Sequence, residues 1–272
     1  MTRSSAPSSP SSLLRTAVDA CRAAGAHAQK NTRRREEAFH RSAHDVKLLL
    51  DRECQAIARE VIHARFPHHA VTGEEEEPSS RHSRTAEIQW VVDPIDGTVN
   101  FSHGLPFWCC SVAALRRGQT LAGAVYAPIL DLLFTAARGQ GARCNRRPIR
   151  VSRVRRPDEA LVLTGADLRA PCRLPPFAFF EAFASTAQRV RILGSAALDL
   201  CRVALGEADV YFESGIFLWD VAAARLMVTE AGGQAAILRR FDNGALWFLA
   251  SNRSLFEPFR KVVQAVAAGE HP

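Results

Sequence analysis

Apolar and small residues recur at helical spacing from Ser12 to about Lys30 (Leu13, Ala17, Ala20, Cys21, Ala24), and the charged break NTRRREE follows. This predicts an amphipathic helix. A second helix is predicted from about Leu48 to Arg65, where Cys54, Ile57, Ala58, Val61 and Ile62 follow the i, i+3, i+4, i+7, i+8 template before Pro67 stops it. Short strands are expected at AVTG, residues 70–73, and IQWVVD, residues 88–93. Between Phe107 and Ser152 the chain reads as an antiparallel meander, SVAALRRG, LAGAVYAPI, DLLFTAARG, ARCN and PIRVS, with glycine or proline at nearly every reversal. After Arg156 strands alternate with helices: ALVLTG, a helix near 176–187, a helix from about Ser195 to Leu205, DVYFE, a helix from Trp219 to Ala231, QAAIL, LWFLAS, and a last helix from about Leu255 to Ala267. Mixed layers of helix and sheet follow, an α+β or mixed α/β fold. The pattern divides the chain into a flexible tail (1–11), an N-terminal α+β part with the antiparallel sheet (12–155) and a C-terminal α/β part (156–272), with the seam near 150–160 and no internal repeat.

Composition narrows the class. Of 272 residues, 47% are hydrophobic and 23% charged, enough apolar surface for a real core, which excludes wholesale disorder. The formal charge is +7, and 32 of the 35 basic residues are arginine. Eight of these (Arg138, Arg143, Arg146, Arg147, Arg150, Arg153, Arg155, Arg156) fall between Asp131 and Asp158 with no acid among them, so one stretch accounts for the excess. That run reads first as a solvated basic face, ahead of a nucleic-acid surface or a steering field for a small anion, so nucleic acid is not an expected partner. The seven cysteines are odd in number and scattered, without a CxxC pair, which supports neither a disulfide framework nor a zinc knuckle and fits a reducing cytoplasm. The start, MTRSSAPSSPSS, lacks the apolar core of a signal peptide, and no run of 18 apolar residues exists, so no membrane association is expected. Nor is there a GxGxxG, a P-loop lysine or a GxSxG.

The chemistry concentrates in acids at element ends. In WVVDPIDGTVNF, residues 90–101, an apolar strand ends in Asp93, Pro94 fixes the turn, and Asp96-Gly97-Thr98 opens the next element. Two carboxylates three apart on such a corner can converge on a hard divalent cation such as Mg²⁺, with the Ile95 carbonyl as a neutral ligand between them. Gly97 allows close approach to the backbone, and the N–H groups that start the next helix suit a phosphate. Asp93 and Asp96 could equally cap a turn. The strand AVTG, however, runs into Glu74-Glu75-Glu76-Glu77, and Asp220 opens an amphipathic helix behind Trp219. Four acids at element ends in a basic chain are better explained by one shared metal cluster than by separate caps.

GEEE at 73–76, DPIDGTVNF at 93–101 and WDVAAARLMVTEAGG at 219–233 resemble the three signature motifs of the inositol monophosphatase family in order and spacing. The resemblance extends from about Ser12 to Val266 and includes LGSAALDLCRVALGEADVYFE at 193–213. It implies a layered α-β-α-β-α sandwich, usually a homodimer, hydrolysing a small phosphate monoester with two or three Mg²⁺ ions and commonly inhibited by lithium. Carried over residue by residue, Glu74, Asp93, Asp96 and Asp220 would be metal ligands and the Ile95 carbonyl would complete a site. Thr98 matches the threonine that orients the attacking water, and Asp51 matches the acid paired with it; Glu74 would share in the catalysis. The N–H groups of Gly97 and Thr98 would hold the phosphate. Glu213 matches an acceptor for a substrate hydroxyl, with Ser195 and Ala196 at a helix start beside it. The alternatives within this class are a sugar bisphosphate or phosphoadenosine phosphate as substrate; outside it, a catalytically weak member serving as a binding or regulatory protein.

Three departures stand out. The family's lysine position holds His40, charged only in acid, and its threonine position holds Leu48, although the framing acids Asp45 and Asp51 are kept; Lys47 or a nearby arginine is the other candidate for the charge. Phe217 stands where a polar side chain often faces the substrate, which implies a less hydrophilic pocket. Trp108, Cys109 and Cys110 read as core, and His68-His69 as an exposed turn.

Overall fold

A computed structural model describes residues 9–41, 46–75, 87–165 and 177–269. Helix α1 (Pro10–Lys30) starts behind Ser9, whose hydroxyl accepts the Ser12 N–H, and proline occupies its first turn, where no amide donor is needed. A short hairpin of β1 (Ala38–Arg41) and β2 (Val46–Leu48) leads into α2 (Leu49–Arg65). The α1 and α2 stripes that the periodicity singled out, including Leu13, Ala17, Ala20, Cys21, Cys54, Ala58 and Ile62, are buried together.

They cover one face of a seven-stranded sheet. Its order is β3 (Ala70–Gly73), β4 (Gln89–Asp96), β5 (Cys109–Arg116), β6 (Gln119–Ala127), β7 (Leu132–Ala137), β8 (Ala142–Cys144) and β9 (Arg147–Pro148), with β3 parallel to β4 and the others antiparallel. Both faces are buried, which is why β5 reads as a nearly unbroken apolar run: Cys110, Val112 and Ala114 pack toward α1 and α2, while Cys109, Ala113 and Leu115 pack the other way.

That other face carries α5 (Ala196–Leu205) and α6 (Leu218–Glu230), and beyond them lies a five-stranded sheet ordered β11 (Arg189–Arg191), β10 (Leu161–Thr164), β12 (Val210–Ile216), β14 (Leu246–Ser251), β13 (Gln234–Arg240). Its far face is closed by α4 (Ala178–Thr186) and α7 (Arg253–Ala268) through Phe179, Phe183, Leu255 and Phe259. The result is the five-layer α-β-α-β-α sandwich. The middle layer is alanine-rich because space there is short: a Cβ on Gly123 of β6 would lie 3.0 Å from the Ala223 Cα of α6. Helix and strand expectations match within a few residues. The exceptions are β1–β2 and β11, too short and polar to give a period, and β4, which continues past Asp93 to Asp96. Among the described residues no helix is long and apolar enough to cross a membrane.

Candidate metal centre and active site

The continuation of β4 builds the site. Against β5, Asp93 pairs with Ser111 and Asp96 with Cys109, so three residues of one strand oppose two of the other. Residues three apart on a regular strand face opposite ways; the one-residue bulge at Pro94-Ile95 restores the parity and turns both carboxylates toward α5 and α6. The bulge also releases the Ile95 carbonyl to accept the Thr98 hydroxyl at 2.9 Å. Ligand atoms of Asp93, Asp96 and Asp220 lie within 4.8 Å of one another.

Each acid is fixed by a different local device. Asp96 is 7% exposed, and its Oδ2 accepts the Ser195 hydroxyl at 2.5 Å, the Ala197 N–H at 2.8 Å and the Cys109 thiol at 3.6 Å, while Oδ1 accepts the Ala196 N–H at 3.2 Å. It thereby takes the orphan donors of the α5 N-terminus. Asp220, in the first turn of α6, accepts the Phe217 N–H at 2.6 Å. Asp51, in the first turn of α2, accepts the Leu48 N–H at 2.9 Å in the same way. Glu74 follows β3, its N–H bonded to the Val92 carbonyl, and the Gln55 side chain of α2 holds the corner by accepting the Glu75 N–H at 3.1 Å.

Burial, then the charges of Glu74, Asp96, Asp220 and Asp51, push the Asp93 carboxyl well above the usual carboxylate range. Burial, Glu74 and Asp96 do the same to Asp220, against the Phe217 N–H. Burial also raises Asp96, opposed chiefly by its bonds from Ser195 and Ala197. Asp93 Oδ1 is buried with no hydrogen-bond partner. Crowded carboxylates with an orphaned oxygen and only oxygen donors suit a hard divalent cation.

Around this cluster Gly97 is left-handed, φ 93°, and caps α3 (Thr98–Ser102); a Cβ there would meet the Gly194 and Phe107 carbonyls at 3.1 Å. Asn100, which the sequence reading passed over, clamps the same loops by donating to the Phe107 and Leu193 carbonyls at 2.8 Å each. Ser195 and Ala196, expected at a helix start beside the organic part of a substrate, stand at the start of α5, where the Ser195 hydroxyl and the Ala196 N–H donate to Asp96. Glu213 lies on β12 and accepts the Tyr211 hydroxyl at 2.5 Å. Asp199 of α5 is also brought here, 2% exposed, with Glu213 and Asp96 as the nearest like charges. Spacing in the sequence gave no sign of it.

Leu48 fills the α1–α2 core and Asp51 accepts its N–H, but as the residue that opens α2 it offers no side-chain acceptor to the first turn, so packing has replaced a hydroxyl cap there. His40 sits exposed on β1 opposite Lys47 in register. Asp45, Glu76 and Glu77 lie outside the described residues. Phe217 stacks on Trp219 at 4.8 Å and 9° beside Asp220. Trp108, Cys109 and Cys110 are core, with the addition of the Cys109 contact to Asp96. His69 corrects the expectation of an exposed turn: it stacks on Phe66 at 4.5 Å and its Nδ1 accepts the Trp90 indole N–H at 3.0 Å, because Trp90 needs a buried acceptor. All eight arginines of the basic run are exposed; those from Arg143 to Arg150 lie along β8–β9, the sheet edge away from β4.

A sequence profile of the inositol monophosphatase family matches residues 9–261. A protein of Haemophilus influenzae named Nus factor SuhB is 37% identical over 243 residues, covering 88% of this chain and 89% of that one. The Escherichia coli K12 protein of the same name is 36% identical over 260 residues, 94% of each. The solved inositol monophosphatase of Anabaena superposes with a TM-score of 0.82 at 32% identity, over 93% of this chain and 96% of that one. Mycobacterium tuberculosis SuhB gives 0.79 at 30%, over 96% and 98%. With its acidic cluster, five-layer sandwich and near full-length match, this chain belongs to the inositol monophosphatase family.

Proposed function

We propose that the chain hydrolyses a small phosphate monoester, with an inositol monophosphate as the leading substrate. The observation that carries this reading is the convergence of Asp93, Asp96 and Asp220 within 4.8 Å. Their all-oxygen character supports Mg²⁺, two or three ions, held by Glu74, Asp93, Asp96, Asp220 and the Ile95 carbonyl. Ions bound there would supply a water made nucleophilic near neutral pH and would neutralise charge on the phosphoryl and leaving oxygens. Thr98, whose hydroxyl proton is given to Ile95, keeps lone pairs that accept from the attacking water, and Asp51 and Glu74 take up its proton. The Gly97 and Thr98 N–H groups hold the phosphoryl oxygens. A bond forms from the water oxygen to phosphorus as the ester P–O bond breaks, and the leaving alkoxide takes a proton from a solvent water to become an alcohol, the proton held by the acids returning to solvent. Ser195 and Ala196 act on the substrate through Asp96, and Glu213 accepts a substrate hydroxyl. The stacked Phe217 and Trp219 flank Asp220 with apolar surface, and a sugar bisphosphate and phosphoadenosine phosphate are the alternative substrates to test beside inositol phosphate.

We further assign a homodimer, supported by the exposed Val99, Leu105, Ile192 and Leu193 that Asn100 gathers around α3, and a reducing cytoplasm, supported by the six thiols among the described residues, all free and buried. A second reading, a binding or regulatory protein of weak activity, is favoured by the name Nus factor carried by the relatives and by Leu48 and His40. The experiment is phosphate release from myo-inositol 1-phosphate and the two alternatives while Mg²⁺ is titrated, with Asp96→Asn alongside. Mg²⁺-dependent release lost in the variant upholds the enzyme; absence of turnover on all three in a folded dimer favours the second reading.

A further inference from the structure

We propose that Arg138, Arg225 and Arg240 form a second anion site, built for a phosphate group of a polyphosphate or phosphodiester chain and separate from the metal centre. Arg225 follows Asp220 on α6 by five residues, about 7.5 Å along the axis and roughly 140° around it, so it leaves the helix on a different side from the metal cluster. Side-chain bonds fix its surroundings. The Thr120 hydroxyl donates to the Ala222 carbonyl at 3.0 Å, and Arg138 Nε donates to the Thr120 carbonyl at 3.2 Å. Ala222 and Arg225 are three apart and share a helix face, so Arg138 is tied to the turn of α6 that carries Arg225. Arg240 ends β13, the strand against which the same helix packs.

Arg225 is half-buried, and the charges that face it are Arg138 and Arg240; burial first and these two next lower its pKa. Among the described residues none of the three makes an ion pair, and the Arg225 guanidinium makes no hydrogen bond. The other acid on the helix, Glu230, five residues further on, is committed elsewhere, its two oxygens accepting the Gly139 and Gly141 N–H groups at 2.8 Å each. Arg239 is also engaged, stacked over Phe241 at 4.7 Å. The Arg225 guanidinium, partly desolvated and faced by two like charges with no acid paired to any of the three, is repelled by its neighbours until a multivalent anion joins them. Forked guanidinium donors match phosphate oxygens. A cavity of about 110 Å³ lined by Gln140, Arg143, Arg150 and Glu230 itself, whose carboxylate is already held by the Gly139 and Gly141 N–H groups, brings two more arginines beside this end of the helix, which favours a chain of phosphates over a single ion.

The test is thermal unfolding of the full chain in EDTA, where the acidic cluster repels anions, with sodium tripolyphosphate against sodium chloride at equal ionic strength. Wild type and the charge-matched control Arg33→Gln should both gain in Tm. Arg225→Gln should start no lower than wild type and lose at least two thirds of the gain; exposed Arg138→Gln, which spares the helix, should lose at least half. Anisotropy of a labelled 12-mer of uridine then separates the sources. Binding weakened fivefold or more by Arg225→Gln, with a salt slope reduced by about 1, identifies a phosphodiester chain; binding indifferent to Arg225 leaves polyphosphate as the ligand. A full Tm gain in both variants, or none in wild type, overturns the proposal.

Discussion

Ser195 Oγ donates to Asp96 Oδ2 at 2.5 Å, joining the start of α5 to the end of β4 across 99 residues of sequence. This bond sets where the carboxylate points. Hydrogen bonds to charged groups contribute about 1.5–3 kcal/mol, so Ser195→Ala should lower stability by about 1–2 kcal/mol, seen as a lower urea midpoint with unchanged m. If phosphate release were also unchanged, Ser195 would have no part in orienting Asp96.

Gly97→Ala tests the corner itself. A Cβ at φ 93° costs about 1–2 kcal/mol, and here it also meets two carbonyls at 3.1 Å. A loss of about 2–3 kcal/mol in chemical denaturation is expected, together with most of the turnover.

Leu48→Thr restores the residue type expected by family resemblance, yet the fold has used the position for packing. Leu48 is wholly buried between α1 and α2. Losing its side chain costs about 2–3 kcal/mol, and a threonine cap returns about 1. A net destabilisation of about 1–2 kcal/mol follows; a gain on unfolding would show that the cap outweighs the core.

Two carboxyls should act on stability with opposite pH signs. Burial, then Glu213, holds Asp199 well above its ordinary 3.8, so the folded state binds its proton more tightly. That contribution is whole below pH 3.8 and is lost as pH rises through the raised value. Asp199→Asn should therefore melt ~2 °C or more above wild type at pH 8, and the difference should close toward pH 4.

Glu53 runs the other way. Arg34, then His27, holds it at about 2 against 4.5, so its stabilisation is present above pH 4.5 and disappears as pH falls through 2. Its side chain is 37% exposed, and screening limits Glu53→Gln to a loss of about 1 kcal/mol or less at pH 7, vanishing near pH 2.

Periodicity made the layers legible because both sheets and most helices bury long apolar stripes. The bulge was not legible: DPID reads as a strand followed by a turn, and only pairing with Ser111 and Cys109 shows that the ladder resumes. Nor could spacing reveal that Asp96 caps α5, or that Asn100 reaches the Leu193 carbonyl, since each of these contacts spans more than ninety residues. The acids were visible as a set because they stand at element ends. Asp199 was not, because its position inside an ordinary amphipathic helix carries no local mark.

With the Ile95 carbonyl in its proposed role as a metal ligand, part of the site is a property of the main chain, and this divides the ways in which mutation can damage it. The side chain of Ile95 is 1% exposed in the α1–α2 core, so exchanges there are judged by volume alone: Ile95→Val should cost about 0.5–1.5 kcal/mol and leave per-molecule activity intact in whatever fraction folds. On their proposed role as metal ligands, changes at Asp93 and Asp96 should do the reverse, yielding folded but inert protein. Only deletion of a bulge residue would remove the neutral oxygen while leaving every charged one in the chain. The genetic record of this corner should be permissive toward apolar identity and strict about length.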